Sequence, residues 1–319
     1  MNFKLKNDIN SLKNNTIMKE NFSQFLFNLK LTQNQREDAK KKYEGIINCL
    51  AHHFYDRGRN DSDQYLFGSY KTKTAIRPIE DGSDVDVLFK INNDSYEKYK
   101  DNASGILQEC RNALKDTYST TEEIHAWGKV VLVKFSDGTH NVEVLPAWEK
   151  SDNKFFIPNT EDGGSWETFD PRSQIASFQE SIDSTDGLTR DCVMMIKNWI
   201  RNTTTMKYKS FNVVQDVISF ANSIYSRGKC DENYDIVVRD FFNYWVNRLS
   251  DKDERKSHFQ TALNRANKAV QYEKEGKHIE ASEEWRKIFD PKLFPHSDKN
   301  EERENEVNSF STAPRPWSH

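Results

Sequence analysis

Asp84-Val85-Asp86 opens an apolar run, Val87-Leu88-Phe89, and this short stretch carries the clearest chemistry in the chain. On a strand, successive side chains alternate between faces, so Asp84 and Asp86 project to one side while Val85, Val87 and Phe89 project to the other, into a core. Two carboxylates held that close repel each other and stay ionised most readily with a divalent cation between them. A hard oxygen site with few ligands suits Mg²⁺, with Mn²⁺ as the alternative, and such a cation completes its shell with water and substrate phosphates. Just upstream, Tyr65-Leu66-Phe67 leads into Gly68-Ser69. Glycine lets backbone N–H groups approach a phosphate, and a serine hydroxyl at a helix start can bind one. A metal clamp beside a phosphate cradle is the chemistry of nucleotidyl transfer.

That chemistry calls for a third carboxylate from a neighbouring strand. Lys129–Phe135 and His140–Pro146 flank Ser136-Asp137-Gly138-Thr139, a hairpin signal. On the second run Asn141, Glu143 and Leu145 share one face, and Val142 and Val144 the other. Glu143 is thus an acid in an otherwise apolar strand, which is costly unless it is paired or metal-bound. The competing structural reading is a set of salt bridges on the sheet face. Lys90 shares the face of the Asp pair but lies four residues beyond Asp86, roughly 13 Å along the strand. Asp81, in Glu80-Asp81-Gly82-Ser83, reads as a turn residue. Of Arg59, Lys71, Lys73 and Arg77 around the stretch, Lys71 or Lys73 are the candidates for phosphate contact.

The elements that must position these residues follow from periodicity. Phe22, Phe25, Leu26 and Leu29 have helical spacing; Thr32-Gln33-Asn34-Gln35 matches a capping box, and Ala39, Tyr43, Ile46, Ile47, Leu50 and Phe54 continue as a stripe. The first run predicts one helix; the second, opened by the capping box, predicts a long helix lying across both lobes, with His52 and His53 near its end as exposed or satisfied helix histidines rather than ligands. Tyr96 to Tyr118 reads as one outer helix with Ile106, Leu107, Cys110 and Leu114 inward. Pro158 to Arg172 reads as a long loop linking to a second, helical lobe, with Trp166 either stacking on a base or buried in the lobe seam. From Ser173 onward the pattern is helical; Leu188 to Arg201 carries Leu188, Cys192, Met195, Ile196 and Trp199 on one face. The expected organisation is a catalytic lobe over 1–160, a helical lobe over 161–296, and a disordered tail over 297–319.

With 319 residues, 35% hydrophobic content and mean hydropathy of −0.89, the chain relies on twenty Phe, twelve Tyr and seven Trp for apolar area. A formal net charge of −4 gives no global attraction to nucleic acid, so no obligatory nucleic-acid activator is expected. Cys49, Cys110, Cys192 and Cys230 are widely spaced, without a zinc pattern, and read as reduced thiols. No signal peptide or long apolar run occurs, so no membrane span is expected and the location is read as cytoplasmic.

Gly-Ser, about fourteen residues, Asp-x-Asp, then a lone acid in a strand ending Pro-Ala resembles the polymerase-β-like nucleotidyltransferase superfamily. Within it the chain is most similar to the bacterial cGAS/DncV-like enzymes called CD-NTases, from roughly Phe22 to Pro295. The run from Ala269 through Phe289 resembles their C-terminal helices. The resemblance implies an α+β, bilobal fold with a mixed-sheet catalytic lobe, a C-terminal helical lobe and a long N-terminal helix spanning them. It implies that Lys197, set with Trp199 on its helix and Arg190 upstream, reaches the nucleotide triphosphate. It also implies that Ser210 binds phosphate and that Phe211 stacks on the donor base. Read on its own, Ser210 is equally a plain helix cap. The implied reaction joins nucleoside triphosphates into a cyclic di- or trinucleotide, read by a separate effector protein in bacterial antiphage (CBASS-type) signalling. Asp84 and Asp86 would bind metal with Glu143 completing the site, and the tail is accessible to a conjugation or regulatory partner. Two rival readings are AMP transfer to a protein or RNA end, and a non-catalytic nucleotide-binding module.

Overall fold

Strand pairing at the Asp-x-Asp run organises the structure, a computed structural model that describes residues 17–79, 83–119, 121, 123–137, 139–161, 164–225 and 233–297. The expectations placed on residues 1–16, the 80–82 turn, Gly138, Cys230 and the tail from 298 fall outside the described residues. The chain groups into two units. Among the described residues, one is 30–184 and the other joins 17–29 with those from 185 to 297.

In the first unit, helix α2 (Gln33–Tyr55) starts at the expected capping box of Thr32 and Gln35. Strand β1 (Gln64–Leu66) and the one-turn helix α3 (Gly68–Lys71) precede β2 (Asp84–Lys90). Helices α4 (Asn93–Tyr99) and α5 (Ala103–Thr117) follow, then β3 (Ile124–Trp127), β4 (Val130–Val133), β5 (Asn141–Glu149), β6 (Phe155–Asn159), β7 (Ser165–Phe169) and helix α6 (Pro171–Ser184). The sheet runs β1-β2-β5-β4-β3, with β6 joined to β5 and β7 to β6. β2 and β5 are parallel neighbours; the other pairs are antiparallel.

Burial follows strand alternation. Val85, Val87 and Phe89 of β2, with Val142 and Val144 of β5, pack into a core with Ile46, Ile47 and Leu50 of α2 and Ile106, Leu107 and Cys110 of α5. On the opposite face Leu88, Leu145, Ala147, Phe155 and Ile157 form a second, smaller core. Burying a Val or Leu side chain contributes about 1.5–3 kcal/mol, so the valines fix the register and with it the side to which the intervening acids point.

Three expectations are corrected here. The outer helix over 96–118 is two helices, because Asn102 breaks the run and caps α5 through Gly105 N. The 158–172 loop is a hairpin: β6 and β7 pair from Phe155↔Phe169 to Asn159↔Ser165, so a lobe boundary at 160 would cut it. Trp166 is engaged within this unit, its indole N–H donating to Tyr99 O at 3.1 Å and its ring lying edge-on to Tyr96.

The second unit contains α1 (residues 17–29), α7 (Leu188–Asn202), α8 (Ser210–Ile224), α9 (Tyr234–Val246), α10 (Lys256–Lys274) and α11 (His278–Arg286). As the capping box implies, the N-terminal apolar runs are carried by two helices, α1 and α2, one in each unit, with residues 30–32 between them. Phe22 and Phe25 of α1 pack on Trp285, Phe289 and Phe294, at ring separations down to 4.6 Å. Asn28 donates to Leu293 O and Asn21 to Ser297 Oγ. Ser297, placed in the tail by the sequence, is 2% exposed and belongs to this core. Trp199 packs between Phe242 and Phe259, a core role. Among the described residues no helix is long and apolar enough to cross a membrane.

Candidate active site

The parallel register of β2 and β5 sets Asp84 opposite Asn141 and Asp86 opposite Glu143. All four side chains occupy the face that carries Leu88 and Leu145, away from α2 and α5. Asp84, Asp86 and Glu143 are half-buried, whereas Val85, Val87, Val142 and Val144 are fully buried. On β4, Leu132 lies opposite Glu143, so an apolar neighbour flanks that acid. Burial first, and then the negative charge of Asp84, hold the Glu143 carboxyl above its ordinary range. Asp84 and Glu143 thus share one electrostatic neighbourhood, and Glu143 is a better proton acceptor than a solvated glutamate.

Lys90, the base that might have neutralised this face, is committed elsewhere. Its ammonium lies 2.8 Å from Glu149, which Arg172 also grips.

Gly68 closes the site from above β2. Phe67 N donates to Asp86 O at 3.2 Å, which ties the start of α3 to the acid strand. Gly68 has φ +63, and a Cβ added there would lie 2.0 Å from Asp86 Oδ2. Only glycine fits that position: the dihedral favours it, and the space belongs to the carboxylate. Sequence reading overlooked the groups that hold this turn. Thr72 donates its hydroxyl to Gly68 O at 2.9 Å and meets Thr74 Oγ1, while Thr74 N and Ala75 N donate to Ser69 O. The available signal was the threonine four residues after Gly68, a spacing suited to such back-bonding.

These residues fit a hard divalent cation: neighbouring carboxylates, one of them lifted by burial and by the charge of Asp84, beside a glycine that leaves room at Asp86. Among the described residues, however, no three His, Cys, Asp or Glu side chains are gathered tightly enough to hold a metal ion unaided. The expected three-carboxylate cage is a row of neighbours on a sheet rather than a closed cluster.

Of the remaining predicted residues, Ser69 follows Gly68 in α3, while Lys197, Ser210 and Phe211 lie in the other unit. Lys197 is buried in α7, at 7% exposed. Ser210 is the first residue of α8 and is exposed; the cap position is Lys209 and no side chain caps that helix start, so the plain-cap reading does not describe Ser210. Phe211 beside it is 53% exposed.

Residues 17–181 match the Second Messenger Oligonucleotide or Dinucleotide Synthetase (SMODS) domain. The chain belongs to this family. The CD-NTase resemblance read from the sequence stands, and with it the nucleotidyltransferase class. A probable cyclic nucleotide synthase of Bacillus cereus (strain VD146) is 24% identical to this CD-NTase, over 73% of the chain and 82% of the relative. The fold is shared with CdnC of E. coli MS115-1, solved with ATP (TM-score 0.61, 15% identity, 86% of this chain and 98% of that one). It is shared equally with the DncV cyclic AMP-GMP synthase of Vibrio cholerae, solved with a linear intermediate (TM-score 0.60, 13% identity, 92% of each).

Proposed function

We infer that this CD-NTase is a Mg²⁺-dependent synthase, with Mn²⁺ as the substitute ion, that joins nucleoside triphosphates into a cyclic di- or trinucleotide and releases pyrophosphate. The observation that supports this reading most is the Asp86↔Glu143 pairing on the acid-bearing face, with Gly68 against Asp86. Asp84 and Asp86 hold the metal, with Glu143 completing the site. When bound, the metal supplies charge stabilisation at the phosphoryl oxygens and lowers the pKa of an attacking ribose hydroxyl. Glu143, lifted by burial and by Asp84, accepts the hydroxyl proton directly or through a water. Gly68, Ser69, Lys197 and Ser210 hold the triphosphate, and Phe211 offers a ring for the donor base. That CdnC was solved with ATP, and DncV with a linear dinucleotide, agrees with nucleotide substrates here. The family's role implies a diffusible signal in the bacterial cytoplasm, read by a separate effector in antiphage defence, with the C-terminal tail open to a regulatory or conjugating partner.

Incubating purified protein with pairs of NTPs and Mg²⁺, then analysing the products by mass spectrometry, tests this reading. Phosphatase-resistant cyclic products, lost in Asp86→Asn, are expected. Label transferred to protein or RNA instead would replace it with AMP transfer.

A further inference from the structure

A cavity of about 300 Å³ lies at the β1 edge of the sheet unit. Lys30, Arg36, Lys71 and Lys73 line it, with Leu66 and Tyr70 among its apolar walls. Its position follows from alternation. Leu66 pairs with Val87 and packs, like Tyr70, into the core beneath α2, whereas Tyr65 and Phe67 pack on the opposite face with Leu88 and Leu145. The cavity therefore opens on the α2 side, across the sheet from Asp84, Asp86 and Glu143. Two contacts build it: Tyr70 donates its hydroxyl to Arg36 O at 2.8 Å, and Lys30 bridges to Ile76.

Three features separate this place from an ordinary lysine-bearing surface. Four cations converge from three segments on a chain whose formal net charge is −4. Among the described residues none of the four makes an ion pair, and the nearby Glu44 lies 3.2 Å from Arg59. Lys73 is held at φ +57, a left-handed conformation that is unfavourable for any residue but glycine. An exposed lysine stands where glycine would be easier, and it is one of the residues that line the cavity.

We propose that this cavity is a second anion site, binding a small polyphosphate-bearing ligand on the face of the sheet opposite the acids. Several anionic oxygens are needed to match four cations, and lysine and arginine are the usual partners of phosphoryl oxygens. The volume lies at the small end of ligand sites and suits a compact group. The chemistry is shared by a free polyphosphate and by the tail of a nucleotide, for which Leu66 and Tyr70 supply an apolar wall. Gly68 touches Asp86 and Tyr70 lines the cavity, so a ligand there would bear on the same short helix that shapes the acid site.

Calorimetry on the full chain in metal-free buffer tests this without turnover, so its failure leaves the synthase reading untouched. The probes are inorganic triphosphate, pyrophosphate and ATP, each alone. Saturable triphosphate binding is expected, weakened about 10–150-fold by Arg36→Ala and by Lys73→Gly, the scale of one charge-assisted contact. Lys73→Gly suits the local backbone and should keep or raise the melting temperature, which separates lost binding from lost fold. Lys197→Ala removes a contact assigned to the substrate triphosphate and should weaken only that event, leaving the binding that depends on Arg36 and Lys73 within about twofold. ATP binding tighter than triphosphate would assign a nucleotide as occupant; equal affinity would assign the free polyphosphate. Absence of saturable binding, or binding lost in Lys197→Ala and kept in Arg36→Ala and Lys73→Gly, would overturn the proposal.

Discussion

The two faces of the β2–β5 pair are made from the same strands and do opposite things. One presents Val85, Val87, Val142 and Val144 to α2 and α5, fully buried; the other presents Asp84, Asp86 and Glu143, half-buried and mutually repelling. Stability and chemistry are thus separated by a half-turn of the strand. The acid face costs folding energy, and the valine face supplies the register that keeps the acids in place.

Glu143→Gln should break this comparison most visibly. Pyrophosphate release should fall by roughly 10³-fold, the scale of several kcal/mol of transition-state stabilisation. Stability should move the other way. The folded carboxyl is held above its unfolded value, so ionising it costs stability that is lost as pH rises from about 4.3 through the folded pKa. The glutamine variant should therefore melt higher than wild type at neutral pH and not in acid; a lower melting temperature at neutral pH would contradict the picture. Gly68→Ala should damage both properties, because the new methyl group invades Asp86 and the backbone stays left-handed. Activity should drop about 10²-fold, the scale of a small misplacement at a reacting centre, and stability by about 1–2 kcal/mol. Val87→Ala should do the converse: about 2 kcal/mol lost in denaturant titration, with kcat per folded molecule nearly unchanged. The smallest effect concerns His140, buried at the head of β5 against Tyr70. Burial, chiefly, and Lys42 hold its imidazole below the ordinary range, against the opposing charges of Asp38 and Asp137. Below about pH 6.5 the unfolded chain takes up a proton that the folded one resists, so stability should fall with acidity by at most about 1.4 kcal/mol per pH unit. His140→Phe should flatten that slope while keeping the ring packing.

What the sequence disclosed tracks how local the determining physics is. The Asp pair and Glu143 were legible because period-two alternation assigns faces without tertiary information. The Thr32 capping box was legible for the same reason: its partners are three residues apart. The β6–β7 hairpin was not, since Ser165–Phe169 lacks an apolar alternation, with no fully buried residue along it, and its Gly-rich approach reads as loop. Ser297 packing onto Asn21 and Ser282 could not be seen either, because those partners come from distant turns of the chain. The roles of Lys197, Ser210 and Phe211 came from resemblance alone, and periodicity would have left them as ordinary helix residues.

Helix α1 is synthesised well before its partners: Asn28 finds Leu293, 265 positions downstream. Until residues 285–294 have been made, Phe22 and Phe25 have no Trp285, Phe289 or Phe294 to cover them. Over that interval the nascent chain carries an uncovered aromatic stripe, a ready target for chaperones or for aggregation. The sheet unit has no such delay, since its ends, Lys30 and Ser184, enclose all its strands. Removing either α1 or residues 285–297 would strand the other, so an affinity tag placed inside the first turn of α1 should depress soluble yield as much as deleting residues 285–297.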